Sequence, residues 1–445
     1  MFYDVVIVGG GAAGFFAAIA CAERARSLSL RAPHIVILDA GTRVLDKVRI
    51  SGGGRCNVTH ALFEPRAFAS HYPRGSRELL GPLSTFGPRQ TVEWFERRGV
   101  ALKTEADGRV FPVSDSSETV IDALVRAAVQ EHRVEVKTRA RVAYLNRQLG
   151  DERSAFHVGA SADDALTADR VLLATGASRT AWQWAAQLGD HHIVPPVPSL
   201  FSFVLDAEWK QCFAALAGVS VPAVELHVAV AGTPDERAPR GKQRRRPLRQ
   251  RGPLLFTHNG ISGPAVLALS AFGAREFAAC NYRFAVQVNW VPDEPQVLEA
   301  LEQARTGADR RKLVSAHNLF GLPRRLWRCL VVECAHLDAS LRYADLSHAA
   351  ATALAAALTG LRVQVHGRSP FKEEFVTAGG IDLADVNMST CESRRVRGLH
   401  FAGEVLNVDG VTGGFNLQNA WTTGYCAGVA MAQPRVPVAE TAPSP

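Results

Sequence analysis

The stretch YDVVIVGGGAAG, residues 3–14, decides the fold of the N-terminal part of the chain. After Asp4 its first half is continuously apolar, which is typical of a parallel strand that is covered on both faces. Gly9, Gly11 and Gly14 then give the spacing G-x-G-x-x-G, and the small residues that follow predict a helix. The first glycine permits a tight turn, the second lets a pyrophosphate approach the backbone, and the third lets helix and strand pack closely. We therefore predict an α/β, Rossmann-like dinucleotide site.

The segment HIVILDA, residues 34–40, predicts a second buried strand that ends at Asp39. A carboxylate at this place favours an unphosphorylated adenosine ribose. At the start of the first helix, Ala12 and Ala13 offer free backbone N–H groups to phosphates. These features alone do not distinguish NAD from FAD.

Length and charge limit the classes of protein. The 445 residues predict two or three domains, and the net charge is +7. Eight Lys or Arg residues and no acid fall in the basic segment 237–251, so the rest of the chain is close to neutral. Nucleic acid is therefore not the expected partner. We predict a flexible hairpin loop there, and the alternative is an anion or RNA contact.

The cysteines indicate a reducing, cytoplasmic setting. Eight are present, none forms a CxxC pair, and no Cys/His spacing resembles a zinc site, so no metal site is expected. The first strand follows Met1 directly, which leaves no room for a signal peptide, and no run of 18 apolar residues occurs. A membrane is therefore excluded as a partner.

Five further motifs identify a family. Lys47 precedes SGGGRCN at 51–57 and Thr59, and four later segments follow in order: GRVFPVS at 108–114, FTHNGISGP at 256–264, TAGG at 377–380, and the closing motif at 398–428. The chain resembles the BaiN-like or YhiN-like flavoproteins, NAD(P)/FAD-dependent oxidoreductases that include bile-acid enone reductases and aminoacetone oxidases.

The resemblance implies a Rossmann-like FAD-binding domain of the two-dinucleotide-binding-domain flavoprotein type, with an inserted antiparallel β plus helical domain. We expect the FAD-binding domain at 1–199 and 368–433 and the insert at 200–367. Residues 434–445 are predicted to be a disordered tail. The predicted cofactor residues are Gly9, Gly11, Ala12, Ala13, Gly14, Asp39, Lys47, Ser51, Gly52, Gly53, Gly54, Arg55, Cys56, Asn57, Val142, Ala174, Thr175, Gly176, Gly403, Glu404, Asn416, Leu417 and Gln418.

Several of these residues have two interpretations. Gly52–Gly54 let backbone lie against the flavin and ribityl chain. Arg55 holds a phosphate or reduced flavin, or is a surface arginine. Cys56 is redox-active, or a small buried filler. Asn57 bonds a flavin edge, or caps a turn. Two further pairs of alternatives concern residues elsewhere: Val142 contacts adenine or is an ordinary strand residue, and Glu404 meets the ribityl chain or faces water. Asn416–Gln418 are expected to act through backbone at the N-terminus of a helix beside the flavin.

The predicted function is FAD-dependent hydride transfer on a small molecule. The candidate catalytic residues are His258, Cys56 and Arg55, of which His258 is either an acid/base group or a structural histidine. No second G-x-G-x-x-G occurs, so the sequence leaves open whether NAD(P)H binds transiently as electron donor. It also leaves open the substrate, the direction of reaction and the oligomeric state. The alternative function is a flavoprotein that binds or modifies RNA through the basic segment.

Overall fold

The computed structural model describes residues 1–148, 155–229, 248–369 and 376–433. The chain divides into two compact units. Unit 1 comprises Met1–Pro196 and Gly379–Pro445, and unit 2 comprises Val197–Ala378. The sequence-based boundaries of the insert, 200 and 367, stay a prediction.

Within the described residues, the strands follow one another along the chain as β1 Phe2–Val8, β2 Ile35–Leu38, β3 Thr59–His60, β4 Leu102–Thr104, β5 Arg109–Pro112, β6 Glu135–Lys137, β7 Tyr144–Gln148, β8 Ala155–Gly159, β9 Leu166–Leu173, β10 Ile193–Ser199, β11 Phe203–Leu205, β12 Ser220–Val228, β13 Leu248–Thr257, β14 Gly260–Ser262, β15 Phe284–Asn289, β16 Leu361–Arg368, β17 Val376–Ile381, β18 Val386–Asn387, β19 Glu392–Ser393 and β20 Leu399–Phe401.

The α-helices follow in the same order. They are α1 Ala12–Ser27, α2 Asp46–Ile50, α3 Pro65–Ala69, α4 Leu80–Thr85, α5 Pro88–Glu96, α6 Ser117–Val125, α7 Arg179–Gly189, α8 Ala207–Cys212, α9 Pro264–Phe272, α10 Ala274–Ala279, α11 Val297–Thr306, α12 Arg324–Cys329, α13 His348–Gly360 and α14 Phe415–Met431.

Unit 1 is built on a mixed sheet whose central path is β18-β19-β20-β9-β1-β2-β6. Strand β1 pairs in parallel with β2 and β9, and β20 pairs in parallel with β9. Because the carboxyl ends of parallel strands meet at one edge of a sheet, the loops after β1, β2, β9 and β20 are brought together there. This edge is where the predicted cofactor residues converge.

Helices α1 and α14 pack against each other through bare faces. A Cβ atom on Gly424 would lie 2.6 Å from the Ala13 carbonyl oxygen, and one on Gly428 would lie 2.3 Å from the Ala17 carbonyl oxygen. Neither approach is possible with a larger residue, so Gly424 and Gly428 permit the close packing of α1 against α14. This packing places the middle of α14, around Gly424, beside the start of α1 in unit 1.

Unit 2 contains a closed antiparallel barrel in the order β11-β14-β13-β12-β15-β16. Helices α11, α12 and α13 lie between β15 and β16 in the chain, and their apolar faces share one core with the barrel. Trp290, Trp327 and Tyr343 are fully buried in that core. The predicted fold class, a Rossmann-like α/β unit with an antiparallel β plus helical insert, is confirmed.

Three details of the sequence-based prediction need correction or fall outside the described residues. The interpretation of Val142 as an ordinary strand residue is wrong, because Val142 lies between β6 and β7. The predicted basic loop 237–251 is partly wrong, because residues 248–251 belong to β13; residues 237–247 lie outside the described residues. The tail 434–445 also lies outside them.

Within the described ranges, none of the helices combines the length and the apolarity that a membrane span needs.

Candidate cofactor site

The glycine loop after β1 is fixed by close backbone contacts. Gly9 has φ +113°, and a Cβ atom there would lie 2.4 Å from the Ala174 carbonyl oxygen. A Cβ atom on Gly14 would lie 2.1 Å from the Gly9 carbonyl oxygen. Gly11 makes no such close contact, because no described atom lies within 4 Å of its built Cβ position. The first and third glycines are needed for packing, and the second borders open space at the N-terminus of α1.

The Asp39 carboxylate holds this loop in place. One of its oxygens accepts the Gly10 N–H at 2.7 Å, and the other accepts the Gly41 N–H at 2.7 Å. The Ala140 N–H donates to the Asp39 carbonyl oxygen at 2.8 Å, so the segment containing Val142 runs beside Asp39. Each carboxylate oxygen retains a second lone pair, so the geometry leaves Asp39 able to accept a ribose hydroxyl.

Lys47, Gly176 and Glu404 come together from three distant parts of the chain. Lys47 Nζ donates to the Glu404 carboxylate. A Cβ atom on Gly176 would lie 3.6 Å from that carboxylate and 3.7 Å from Lys47 Nζ. The neighbouring Gly403 N–H donates to Thr423 Oγ1 at 2.9 Å, which ties this turn to α14. Glu404 is therefore a largely buried, paired carboxylate, and the interpretation as a water-facing turn residue is not supported.

The three consecutive glycines form a short 3-10 turn, Ser51–Gly54, with φ values of +58°, +68° and +85°. A Cβ atom on Gly52 would lie 2.9 Å from both the Asn57 nitrogen and a Phe111 ring carbon. No described atom lies within 4 Å of the built Cβ positions of Gly53 and Gly54. Left-handed backbone explains all three glycines, and the last two present bare, exposed backbone to open space.

Arg55 is held by acidic side chains. Its Nη1 lies 2.7 Å from a Glu105 oxygen and 3.5 Å from an Asp115 oxygen, and its guanidinium stacks 4.0 Å from the centre of the Phe111 ring. It is therefore not an isolated surface arginine. A phosphate or reduced flavin that takes Arg55 as a partner must compete with these two carboxylates.

Cys56 and Asn57 point into the protein. Cys56 is fully buried, and burial raises the pKa of its thiol to about 12. This supports a packing role, because the reactive form of cysteine is the thiolate. The Asn57 side-chain amide donates to the Thr59 carbonyl oxygen and accepts the Gly414 N–H, both at 3.0 Å. Asn57 thus connects the glycine-rich motif to the residue that precedes α14.

The first turn of α14 is fixed by side chains of its own motif. The Asn416 amide donates to and accepts from the Gly410 backbone, with both distances 2.9 Å. Gln418 is fully buried, where its Oε1 accepts from Thr59 Oγ1 at 2.6 Å. The side chains of Asn416 and Gln418 are thus bonded within the protein, and the expectation that Asn416, Leu417 and Gln418 meet the flavin through their backbone stays a prediction.

His258 lies in unit 2, in the two-residue turn between β13 and β14, where its side chain is exposed. Gly263 and Pro264 follow and begin α9. The turn and helix that the motif predicts are thus present. The acid/base role of His258 stays a prediction.

The residues of unit 1 fit the group that the family implies. FAD needs a bare approach for its pyrophosphate and flavin, and the backbone at Gly11, Gly53 and Gly54 borders open space into which a Cβ atom would project. Glu105, Asp115 and Thr423 could not be predicted from motif spacing, because each contacts a residue that is distant from it in the sequence.

Comparison with known proteins gives consistent results. The family model described as "HI0933-like protein Rossmann domain" matches residues 3–430. The chain is 29% identical to "Ribosomal RNA dihydrouridine synthase" of Escherichia coli, with 96% of this chain and 97% of that protein covered. It is also 29% identical to "3-dehydro-bile acid delta(4,6)-reductase" of Clostridium scindens, with 96% and 98% covered.

A solved structure, a 3-ketosteroid-delta4-(5alpha)-dehydrogenase from Rhodococcus jostii RHA1, covers 97% of each chain at 14% identity with a TM-score of 0.49. A likeness at this level supports no conclusion about activity. The family match extends over nearly the whole chain and includes the glycine-rich motifs at both of its ends. The chain belongs to the HI0933-like Rossmann family, the FAD-dependent oxidoreductases that its motifs resemble.

Proposed function

We propose that unit 1 binds FAD through the loops after β1, β2, β9 and β20. The observation that carries this proposal is the open space beside Gly11, Gly53 and Gly54, three positions where the backbone is bare and unobstructed. When bound, FAD supplies hydride-transfer chemistry. The N-terminus of α1 would hold the pyrophosphate, Asp39 the adenosine ribose, and the Lys47–Glu404 pair the ribityl hydroxyls.

The α14 N-terminus has an electrostatic role in this proposal. Its backbone N–H groups and helix dipole favour negative charge, which reduced flavin carries on its pyrimidine side. Asn57 and Asn416 orient this turn through their bonds to Gly414 and Gly410. In this proposal, these backbone N–H groups stabilise the reduced cofactor.

We propose reduction of a carbon–carbon double bond conjugated to a carbonyl group, in a small molecule, with NAD(P)H as the electron donor. The names of the two curated relatives support this class of reaction, because each describes the addition of hydrogen to a double bond. The eight cysteines, none of them in a CxxC pair, favour a reducing, cytoplasmic setting.

Anaerobic mixing tests this proposal. NADH or NADPH should bleach the visible flavin band of the purified protein, and a conjugated enone should then restore it. If neither nucleotide reduces the flavin while dithionite does, the NAD(P)H link is wrong. If the reduced protein is reoxidised by oxygen but by no enone, the reductase assignment is wrong.

RNA is the second candidate substrate, and three observations favour it. Six Lys or Arg residues lie within 237–247, and the printed names of two relatives refer to ribosomal RNA. In addition, a cavity of about 450 Å³ in unit 2 is lined by Ala229, which directly precedes the undescribed residues, and by the cations Arg283 and Arg362. Phosphate groups are the ligands that such arginines bind.

Deletion of residues 237–247 separates the two candidates. The deletion spares β13, whose residues 248–251 belong to the barrel. If RNA is the substrate, the deletion should weaken RNA binding and lower the slope of the log binding constant against log salt concentration by up to about 4. Reduction of the flavin by NADH or NADPH, measured without an enone, should stay intact. If small-molecule turnover and RNA binding are both unchanged, the RNA candidate is wrong.

A further inference from the structure

Three cysteines that are far apart in the sequence meet in unit 2. Cys212 is the last residue of α8, Cys329 is the last residue of α12, and Cys334 follows five positions later. The Cys212 sulfur lies 3.9 Å from the Cys329 sulfur and 3.9 Å from the Cys334 sulfur, and all three sulfurs lie within 4.8 Å of one another. We call these residues the thiol cluster.

The local backbone explains how Cys329 and Cys334 share one side of their helix. Residues five apart lie on different faces of a regular α-helix, since each residue turns the chain by about 100°. The segment Leu330–Cys334 is instead a π-helix, in which the Ala335 N–H donates to the Leu330 carbonyl oxygen at 2.9 Å. This wider turn brings residues 329 and 334 onto one side, and short π-helical segments are frequent at functional sites.

The sulfur spacing matches a metal site. With zinc–sulfur bonds of about 2.3 Å and tetrahedral angles, two ligand sulfurs lie about 3.8 Å apart. The observed separations of 3.9 Å are close to that value, whereas a disulfide requires about 2.05 Å. The cluster is also accessible, since Cys212 and Cys334 are only half-buried.

We propose that Cys212, Cys329 and Cys334 form a three-thiolate site for a thiophilic d10 metal ion, with Zn²⁺ as the expected occupant. Such ions prefer soft thiolate ligands. Each thiol that binds releases its proton to solvent, and no oxidation or reduction takes place. Water is the candidate fourth ligand. The sequence predicts no metal site because these cysteines follow no zinc-type spacing.

The position of the site suggests a structural role. The cluster joins α8 to the α12 segment, two parts of unit 2 that are 117 positions apart at Cys212 and Cys329. A bound ion would hold these helices together and thereby stabilise unit 2. This inference is independent of the flavin chemistry proposed for unit 1.

Metal analysis of the whole chain tests the proposal. Protein purified under reducing conditions is stripped with a chelator and titrated with Co²⁺, which gives sulfur-to-metal charge-transfer bands where thiolates bind. We expect about one Co²⁺ per chain, its displacement by Zn²⁺, and a higher melting temperature of the Zn²⁺-loaded than of the stripped protein. Titration with Cu⁺ against a Cu⁺ chelator distinguishes the other thiophilic d10 ion from Zn²⁺.

Variants locate the site. Cys212→Ser and Cys334→Ser should each abolish the charge-transfer bands. Cys280→Ser is the matched control, because Cys280 is also half-buried in unit 2 but lies outside the thiol cluster. Should the unsubstituted chain bind no Co²⁺, Zn²⁺ or Cu⁺ with its thiols reduced, the proposal is wrong. Equal loss of the bands in Cys280→Ser, or a mass that reveals a native disulfide within the cluster, also overturns it.

Discussion

Lys47 and Glu404 form an ion pair although 357 positions separate them in the sequence. The Lys47 side chain is 69% exposed, whereas the Glu404 side chain is 15% exposed. The pair lies beside Gly176, so the loops after β9 and β20 and the segment after β2 meet at one point. Because the Lys47 side chain is largely exposed, the pair is expected to contribute little to stability, and its role in binding a ligand stays a prediction.

Substitution of Lys47 is predicted to lower the affinity for FAD. Lys47→Met should weaken FAD binding about tenfold, equivalent to one lost charge-assisted hydrogen bond, and change the melting temperature little. Fluorescence titration of the flavin-free protein measures this. Arg31→Met is the control, because Arg31 pairs with Asp4 at similar exposure, 75% and 17%. Equal affinities of the two variants for FAD would contradict the role of Lys47.

Gly11 predicts a variant that folds but loses the cofactor. Gly11→Ala adds a methyl group to open space at a φ of −90°, which any residue adopts, so folding should be unaffected. The same methyl group should obstruct the pyrophosphate and lower FAD affinity at least roughly tenfold. Gly81→Ala in α4 is the matched control, since its Cβ also meets no described atom within 4 Å. If Gly11→Ala retains FAD as well as Gly81→Ala, the pyrophosphate is not at this loop.

Burial of Cys56 predicts an inert thiol. The pKa of about 12 lies above the value of about 8.5 for an unfolded cysteine, so the folded state favours the protonated form. The resulting stabilisation is fully present below a pH of about 8.5 and decreases as the pH rises toward about 12. In native protein at a pH of about 8, alkylation followed by peptide mass spectrometry should modify Cys280 well before Cys56. Rapid native alkylation of Cys56 would revive the redox interpretation.

The buried pair Arg74–Asp409 predicts a large effect on stability. Asp409 is fully buried and Arg74 is largely buried, so Asp409→Asn removes a buried carboxylate from beside the Arg74 guanidinium. We expect a decrease of about 3–5 kcal/mol in the free energy of unfolding, measured by urea denaturation. Asp293→Asn, which breaks the exposed pair with Arg251, should change it by less than about 1 kcal/mol. Similar effects of the two substitutions would be inconsistent with the burial of Asp409.

The sequence predicts local features of the site well and long-range contacts poorly. Gly9, Gly14 and Gly424 are predictable because the spacing of their motifs indicates close backbone contacts that only glycine permits. The carboxylates that hold Arg55 are not, because Glu105 and Asp115 follow no motif and reach it only through the fold. The same is true of the thiol cluster, whose two parts meet only when α8 packs beside α12.

Secondary structure shows the same limit. Strand β16 closes the barrel by pairing with β11 and β15, and its alternating sequence LRVQVH does not reveal which strands it pairs with. Arg249 and Arg251 belong to β13, where Arg249 forms an ion pair with Glu225 on the neighbouring strand β12. Their charge predicted a loop because the sequence does not show these partners.

Titration of the flavin-free protein with FAD by isothermal calorimetry tests the central claim most directly. We expect binding of one FAD per chain, a visible flavin spectrum for the complex, and a large loss of affinity in Gly11→Ala but not in Gly81→Ala. A protein that stays colourless in the presence of FAD and gives no binding heat would contradict the claim that unit 1 is a flavin site.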